Sequence, residues 1–459
     1  MELADTKRVY FAGIGGIGMA ALARYYMSKG LPVAGYDRTP SALTAELQAE
    51  GASISFEDSM DAVPGEFRQK EGTLAVYTPA VPASNIPLSF FRDNGFELRK
   101  RAFVLGQITR SSKSLCFSGT HGKTTTSSMA AHIMHSGATG CNAFLGGILK
   151  GYNSNLMLSA TSPYSVVEAD EYDRSFHQLS PYIAVVTATD PDHLDIYGTE
   201  ENYLESFAHF TELIMPGGFL VVREGLKLVP RPGKDVRTYT FGRDHGDFHA
   251  ENIRTGNGTI FFDFVHPEGV ISDIELSVPV AINVDNAVAS LAAVWLTGTL
   301  TPELARSAMA SYPGVERRFE FHLKEKGSQG RAIIDDYAHH PDELKQSIAS
   351  VRALYPDRRL TVAFQPHLYT RTRDFAPEFA AALSTADEVI LIDLYPAREQ
   401  PIPGISSKTI FDLVDCEKKS LISKEDFVET MKNRNFEILL TAGAGDLNLY
   451  VPKLVEALK

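Results

Sequence analysis

The segment Ser118-Gly119-Thr120-His121-Gly122-Lys123-Thr124-Thr125 constrains the fold more than any other part of the chain, because it joins an apolar run, Ser114 to Ser118, to a helical pattern. A glycine-rich turn with Gly-Lys-Thr at a helix start has a well-understood physical use. Its backbone N–H groups cradle phosphate oxygens, its lysine reaches the β and γ phosphates, and its hydroxyl is placed to ligate magnesium. Such a turn belongs between a buried strand and the helix that packs on it, so an α/β sheet must surround it. Phe117 stands where the strict G-x-x-x-x-G-K-[ST] pattern has its first glycine, which leaves a shortened G-x-x-G-K-T form. Gly119, Thr120, His121, Gly122, Lys123, Thr124 and Thr125 are therefore candidate nucleotide contacts, and Thr124 is a candidate metal ligand. Reading Lys123 as an ordinary solvated lysine leaves the Gly-Lys-Thr run unexplained.

A second glycine-rich turn lies near the start of the chain. Val9 to Ala12 reads as a strand, Gly13-Ile14-Gly15-Gly16-Ile17-Gly18 follows, and Asp37 ends the next strand nineteen positions after Gly18. Strand, G-x-G-x-x-G, helix and a following acid form a dinucleotide-binding pattern: the backbone approaches a pyrophosphate closely, and the helix N-terminus supplies N–H groups and partial positive charge. Gly13, Gly15, Gly16, Ile17, Gly18 and Asp37 are the candidate contacts. NAD, FAD and a UDP-sugar all carry the same linkage, so the motif alone leaves the three open. A merely tight strand-to-helix turn is the plain alternative.

At 459 residues the chain is long enough for about three domains. Strands alternate with helices around Gly18 to Lys29, Val33 to Tyr36 and Thr73 to Thr78; strands recur at Ser165 to Val167 and Tyr182 to Thr187, with a helix from Glu200 to Ile214. Between Asp247 and Val265 the pattern shifts to strands joined by Gly256-Asn257-Gly258, a hairpin signal that reads as an antiparallel insertion or edge. Four strand-helix repeats follow Tyr312-Pro313-Gly314, with strands at Ile333 to Tyr337, Leu360 to Phe364, Val389 to Leu394 and Glu437 to Leu440, and the last helix places Leu447, Tyr450, Val451, Leu454, Val455 and Leu458 on one face. These patterns predict three α/β domains over residues 1–108, 109–314 and 315–459.

A net charge of −13 argues against general nucleic-acid binding, since neutralising phosphates needs a basic face. Cys116, Cys141 and Cys416 are too far apart for a C-x-x-C site, which fits a reducing compartment. Neither a signal peptide nor a membrane-length apolar run is visible, so a cytoplasmic protein without membrane attachment is expected.

Other chemistry-bearing residues lie at predicted strand ends. Glu168, in Val166-Val-Glu-Ala-Asp170-Glu171, is placed to approach a magnesium ion held by nucleotide phosphates, and His193 follows the neighbouring strand. A solvated acidic loop is the bland alternative, and the phosphate loop tips the balance towards function. Asn283 and Asn286 open an apolar helix, where capping by Asn283 is an equally good reading. Arg317-Arg318-Phe319 offers guanidinium groups for phosphates. Asp335 to His340 and Gln365 to Arg373 follow successive strands at carboxyl ends, where open α/β sheets bind ligands.

Taken in order, these blocks resemble the Mur ligases. The resemblance runs from Val9 to Asp446, through Gly13 to Met19, Gly119 to Thr125, Glu168 to Glu171, Asp192-His193, Asn283-x-x-Asn286-Ala287, Arg317-Arg318-Phe319, Asp335 to Pro341, Phe364 to Arg373 and Gly443 to Asp446. It implies an N-terminal Rossmann-like domain for a UDP-sugar, a central phosphate-loop ATPase-like domain and a C-terminal Rossmann-like domain that helps hold an amino acid. It is greatest to members that join L-alanine to UDP-N-acetylmuramate in peptidoglycan precursor synthesis, with ATP and Mg²⁺ as cofactors. By resemblance, Gly119 to Thr125 with Asn283 and Asn286 form the nucleotide site, and Thr124, Glu168 and His193 bind metal. Gly13, Gly15, Gly16, Ile17, Gly18, Asp37, His367 and Arg371 contact substrate; Lys123, His193, Arg317, His339 and Arg371 serve catalysis. One departure is Val280-Ala281-Ile282, where relatives commonly carry a glycine and histidines.

A carboxylate becomes an acyl donor at neutral pH only after activation, so the implied reaction runs through an acyl phosphate, with His193 or His339 as candidate base for the amine. A monomer or homodimer is expected. A nicotinamide dehydrogenase would account for the first glycine turn alone and leave the second unexplained. A non-enzymatic nucleotide switch would leave the histidine and arginine clusters idle.

Overall fold

The computed structural model describes residues 5–192, 194–256, 259–325, 327, 330–397 and 399–459. They divide into two compact units. One comprises residues up to Glu251 with Asp263–Ser272 and Asp285–Tyr312; the other comprises Asn252–Phe262, Asp273–Val284 and Pro313–Lys459.

The first unit contains two parallel-strand sheets. β1 (Arg8–Ala12), β2 (Val33–Tyr36), β3 (Ser53–Ser55), β4 (Thr73–Tyr77) and β5 (Glu97–Lys100) form a five-stranded parallel sheet in the order β3-β2-β1-β4-β5. Chain order reverses at β1, so the crevice outside the carboxyl ends of β1 and β4 is the switch point where such sheets take ligands. The glycine turn leaves β1 at that end.

β6 (Lys113–Ser118), β7 (Asn142–Leu149), β8 (Ser154–Met157), β9 (Tyr164–Glu168), β10 (Ile183–Val186), β11 (Phe219–Arg223) and β12 (Arg237–Phe241) form a seven-stranded sheet, ordered β12-β11-β10-β6-β9-β7-β8. Only the β7–β8 pair is antiparallel. β6, which carries the phosphate loop, is central, and it and β10 are nearly wholly buried. That burial on both faces is why Ile183-Ala-Val-Val186 is continuously apolar rather than alternating.

Helix Ile17–Ser28 packs on β7 and β8. Asn155 Nδ2 donates to Ile17 O at 2.8 Å, and the Tyr25 and Phe144 rings lie 5.6 Å apart. Val9, Phe11 and Met19 therefore share one core with Phe144, Val167 and Phe207, and helix Lys123–Ser136 packs on β7 and β9, so the helices behind both glycine turns pack on the same seven-stranded sheet. Burying each such side chain contributes about 1.5–3 kcal/mol. Helix Arg101–Arg110 runs across the expected 108/109 boundary, because nothing breaks its pattern before Ser111; β6 begins only at Lys113.

The segment expected as a hairpin forms β13 (His249–Gly256) and β14 (Thr259–His266), joined by β15 (Gly269–Leu276) in a separate three-stranded sheet. It is thus an insertion, not an edge of the main sheet. Asn257 and Gly258, at the turn, lie outside the described residues.

In the second unit, β16 (Glu320–Lys324), β17 (Ala332–Asp336), β18 (Leu360–Phe364), β19 (Glu388–Ile392), β20 (Lys419–Ile422) and β21 (Ile438–Ala442) are ordered β16-β17-β21-β18-β19-β20, with only β16–β17 antiparallel. Leu447, Val451 and Leu454 enter its core with Ile333 and Leu439, and Tyr450, Val455 and Leu458 pack against it. The apolar face expected of the C-terminus is docked. No helix of the described residues is long and apolar enough to cross a membrane.

Candidate active site

Beyond β6 the backbone passes Gly119 at φ +137° and Gly122 at φ +84°. An added Cβ would lie 2.2 Å from Thr187 Oγ1 and 2.8 Å from Ala188 N at Gly119, and 2.8 Å from Asn286 Oδ1 at Gly122. Only glycine fits both the dihedral and the space. Thr187 Oγ1, after β10, lies 3.0 Å from Ser118 O and 2.5 Å from His121 O, pinning the turn to the neighbouring strand. Thr120 Oγ1 donates to Asp190 O at 2.7 Å and meets Tyr203 OH at 2.9 Å. Helix Lys123–Ser136 starts at Gly122, and no side chain of the described residues caps it. Its first N–H groups and dipole suit an anion.

Lys123 bends back over this turn rather than towards solvent. Its ammonium donates to Gly119 O at 2.7 Å and to Glu171 Oε1 at 2.8 Å, and its side chain is 15% exposed. The Thr124 hydroxyl lies beside the Glu168 carboxyl, whose Oε2 accepts from Gly146 N at 3.1 Å. Burial raises the Glu168 carboxyl's pKa, while the Lys123 charge and the Thr124 hydroxyl oppose this. Two hard oxygen donors beside a phosphate turn match the ligand chemistry of magnesium. His193, expected to complete this set, lies outside the described residues. Thr125 lies in the helix's first turn, where its carbonyl accepts from Ser128 Oγ at 2.9 Å.

Asn286 Oδ1 accepts from Thr126 Oγ1 at 3.2 Å, bringing the asparagine helix against the phosphate-loop helix. Asn283 is not a helix cap. It lies inside helix Ile282–Trp295, and its amide donates to Val278 O at 3.1 Å.

At the first glycine turn, Gly15 N donates to Asp37 Oδ2 at 2.7 Å. The acid at the end of β2 therefore shapes the turn itself. Gly16 begins helix Ile17–Ser28 without a side-chain cap among the described residues. Gly13 lies at φ +89°, and the Arg101 guanidinium lies beside Gly18, 2.8 Å from where a Cβ would be. Arg101 Nη2 is 3.5 Å from Asp170 Oδ2, and Glu171 is Asp170's neighbour. A short chain of contacts thus links the turns: Gly18, Arg101, Asp170, Glu171, Lys123.

In the second unit the ends of β17, β18 and β21 gather the remaining candidates. Arg317, at φ +58°, donates to Gly443 O at 2.7 Å and Gly445 O at 3.1 Å, lies over the Tyr337 ring at 4.7 Å, and has Nε 4.0 Å from Asp335 Oδ2. Asp335 is pushed up to about 6, chiefly by burial. His339 Nδ1 lies 2.9 Å from Tyr337 O, and its ring centroid is 6.1 Å from that of His367. His367 stacks on Tyr395 at 5.8 Å and is pushed down to about 4 by burial first, then by Arg371 and His339. His367 Nδ1 and Arg371 Nη1 are buried and have no hydrogen-bond partner among the described residues. Orphaned polar atoms at strand ends are what a pre-formed polar ligand site leaves behind.

Three family models match in sequence: Mur ligase family, catalytic domain, over residues 8–113; Mur ligase middle domain over 117–294; and Mur ligase, glutamate ligase domain over 317–454. The chain belongs to the Mur ligase family. A UDP-N-acetylmuramate–L-alanine ligase of Phocaeicola vulgatus is 56% identical over 455 residues, covering 99% of this chain and 98% of that protein. One from Porphyromonas gingivalis is 49% identical, covering 97% of each. The crystal structure of a UDP-N-acetylmuramate–alanine ligase from Thermotoga maritima matches with a TM-score of 0.81 at 26% identity, covering 98% of each chain. A murein peptide ligase from Psychrobacter arcticus shares the fold at 19% identity and a TM-score of 0.65, covering 98% of each chain.

In this Mur ligase the three α/β domains expected from the sequence are present, and the family is ATP-dependent. Three contacts were not singled out by sequence reasoning. Glu171 partners Lys123, Arg101 faces the first glycine turn, and Asp285, buried between the two asparagines, pairs with Arg243 Nη2 at 2.5 Å. Glu171 was visible only as part of an acidic run, and Arg101, the last of the basic run Arg99-Lys100-Arg101, carried no motif. Asp285 carried no signal of its own.

Proposed function

We propose that this Mur ligase joins the amine of L-alanine to the lactyl carboxylate of UDP-N-acetylmuramate, with ATP converted to ADP and phosphate, in peptidoglycan precursor synthesis. Support comes from relatives of that name matching nearly the whole chain. The observation that carries the chemistry is Lys123 folded over a two-glycine cradle in the unit that also holds the first glycine turn.

In this reading Gly119 to Thr125, Asn283 and Asn286 bind ATP, and Thr124, Glu168 and His193 would hold Mg²⁺, which would supply positive charge to offset that of the phosphates. Gly13, Gly15, Gly16, Ile17 and Gly18 take the diphosphate of the sugar nucleotide, and Asp37 holds their turn. A lactyl carboxylate oxygen attacks the γ phosphorus, and the P–O bond to ADP breaks with its electron pair leaving on ADP. Lys123 offsets the negative charge that this step concentrates, and Arg317 is read as a further catalytic residue. The amine nitrogen then attacks the acyl carbon, and phosphate departs with the bonding pair. His339 suits the accompanying proton transfer. Burial, its leading influence, holds its pKa down, and donation from Nδ1 to Tyr337 O leaves Nε2 as the acceptor. His367 and Arg371 address the amino acid. With the first boundary moved past helix Arg101–Arg110, the domains run over about 1–112, 113–314 and 315–459, and the enzyme works in the cytoplasm.

A phosphate-release assay with competing acceptors tests the reading. L-alanine is expected to stimulate release in the presence of UDP-N-acetylmuramate. Preference for a free tripeptide would assign the chain to peptide recycling instead.

A further inference from the structure

Lys123 already has as many acceptors as it has protons. Its ammonium donates to Gly119 O at 2.7 Å, Thr120 O at 3.5 Å and Glu171 Oε1 at 2.8 Å, and an ammonium has three N–H bonds. Nζ lies equally close, 2.8 Å, to Glu171 Oε2, which receives charge attraction but no directed hydrogen bond among the described residues. The Glu171 side chain is 2% exposed, so Lys123 is the cation that makes its charge tolerable there. The backbone behind it is fixed: Tyr197 OH donates to Glu171 O at 2.5 Å, Arg174 N does so at 3.0 Å, and Asp173 and Arg174 both sit at left-handed φ, +52° and +54°. Those two residues carry a strained conformation for side chains of their type. The carboxylate is therefore presented to the lysine by a rigid turn.

We propose that Glu171 is a positioning residue that acts through Lys123, drawing the ammonium back onto the carbonyls of its own turn, so that phosphate oxygens reach the lysine only by displacing that contact. The proposal rests on the reading of this turn as the ATP site. Phosphate oxygens must compete with Glu171 for the same protons. Replacing the carboxylate by a neutral isostere weakens that competitor, so nucleotide binding should tighten without a gain in turnover. A purely structural residue would not give that division.

The test uses the full chain. Glu171→Gln is expected to lower the ATP dissociation constant and KM by about tenfold, the scale of one charge-assisted hydrogen bond, with kcat unchanged or lower. In a Lys123→Ala background, the same substitution should change ATP binding by less than about twofold, because no ammonium is left to release. Glu171→Asp keeps the charge but withdraws it from Nζ, and should tighten ATP by about threefold, less than Gln does; it carries the test if the Gln variant does not fold. Unchanged or weaker ATP binding in the single variants, or an equal effect in the Lys123→Ala background, overturns the proposal. Failure of the unsubstituted protein to bind ATP overturns the ATP-site reading, and this inference with it.

Discussion

Gly119→Ala tests the physical basis of the phosphate cradle. At φ +137° an alanine occupies a conformation that costs about 1–3 kcal/mol for a residue with a side chain. Its Cβ would lie 2.2 Å from Thr187 Oγ1, which must swing away from Ser118 O and His121 O; those hydrogen bonds are worth about 1 kcal/mol each. The second obstacle, Ala188 N at 2.8 Å, is backbone and cannot rotate aside. The sum is about 3–5 kcal/mol, or a fall in Tm of roughly 10 °C for a unit of this size. Circular dichroism on heating reads the first quantity, and ATP titration reads the distortion of the turn. Adding Thr187→Ala should recover less than half of the lost stability, since the dihedral and the Ala188 contact remain. A single variant within about 0.5 kcal/mol of wild type, with ATP affinity unchanged, would refute the close-packing argument.

Other outcomes follow from the same geometry. Lys123→Ala should cost on the order of 10² to 10³ in turnover, the scale for losing one transition-state charge partner, read as phosphate release at saturating substrates. Asp37→Ala leaves Gly15 N without its 2.7 Å acceptor, and should raise KM for the sugar nucleotide about tenfold while leaving KM for ATP unaltered. His367 has a folded pKa of about 4 against 6.5 for the free side chain, so it binds fewer protons folded than unfolded across that window. The stability present above pH 6.5 is accordingly lost as pH falls towards 4, and urea unfolding of His367→Gln should show a shallower loss over that range.

Both glycine turns and the strands that lead into them were legible because each is a strand end, a glycine run and a helix start in immediate succession. β2, Val33–Tyr36, and β18, Leu360–Phe364, matched the sequence reading to the residue, since both are short, apolar and bounded by polar residues or turns. β3, Ser53–Ser55, and β5, Glu97–Lys100, were not read as strands, because edge strands of partly exposed polar residues carry no alternation. The β7–β8 hairpin was missed although it forms the platform under helix Ile17–Ser28, since its Gly146-Gly147 and Asn153 interrupt any strand pattern. In the site, motif residues announced themselves, whereas Glu171 and Asp285 did not. Their importance comes from facing Lys123 and Arg243 across 48 and 42 positions of sequence, which only folding brings together.

The most direct test of an acyl-phosphate ligation is to follow one oxygen atom. UDP-N-acetylmuramate labelled with heavy oxygen in its lactyl carboxylate, incubated with the enzyme, ATP and L-alanine, should pass one labelled oxygen to each phosphate released, as read by mass spectrometry. Unlabelled phosphate formed alongside the amide product would contradict the account, because the carboxylate would then have been activated by some other route.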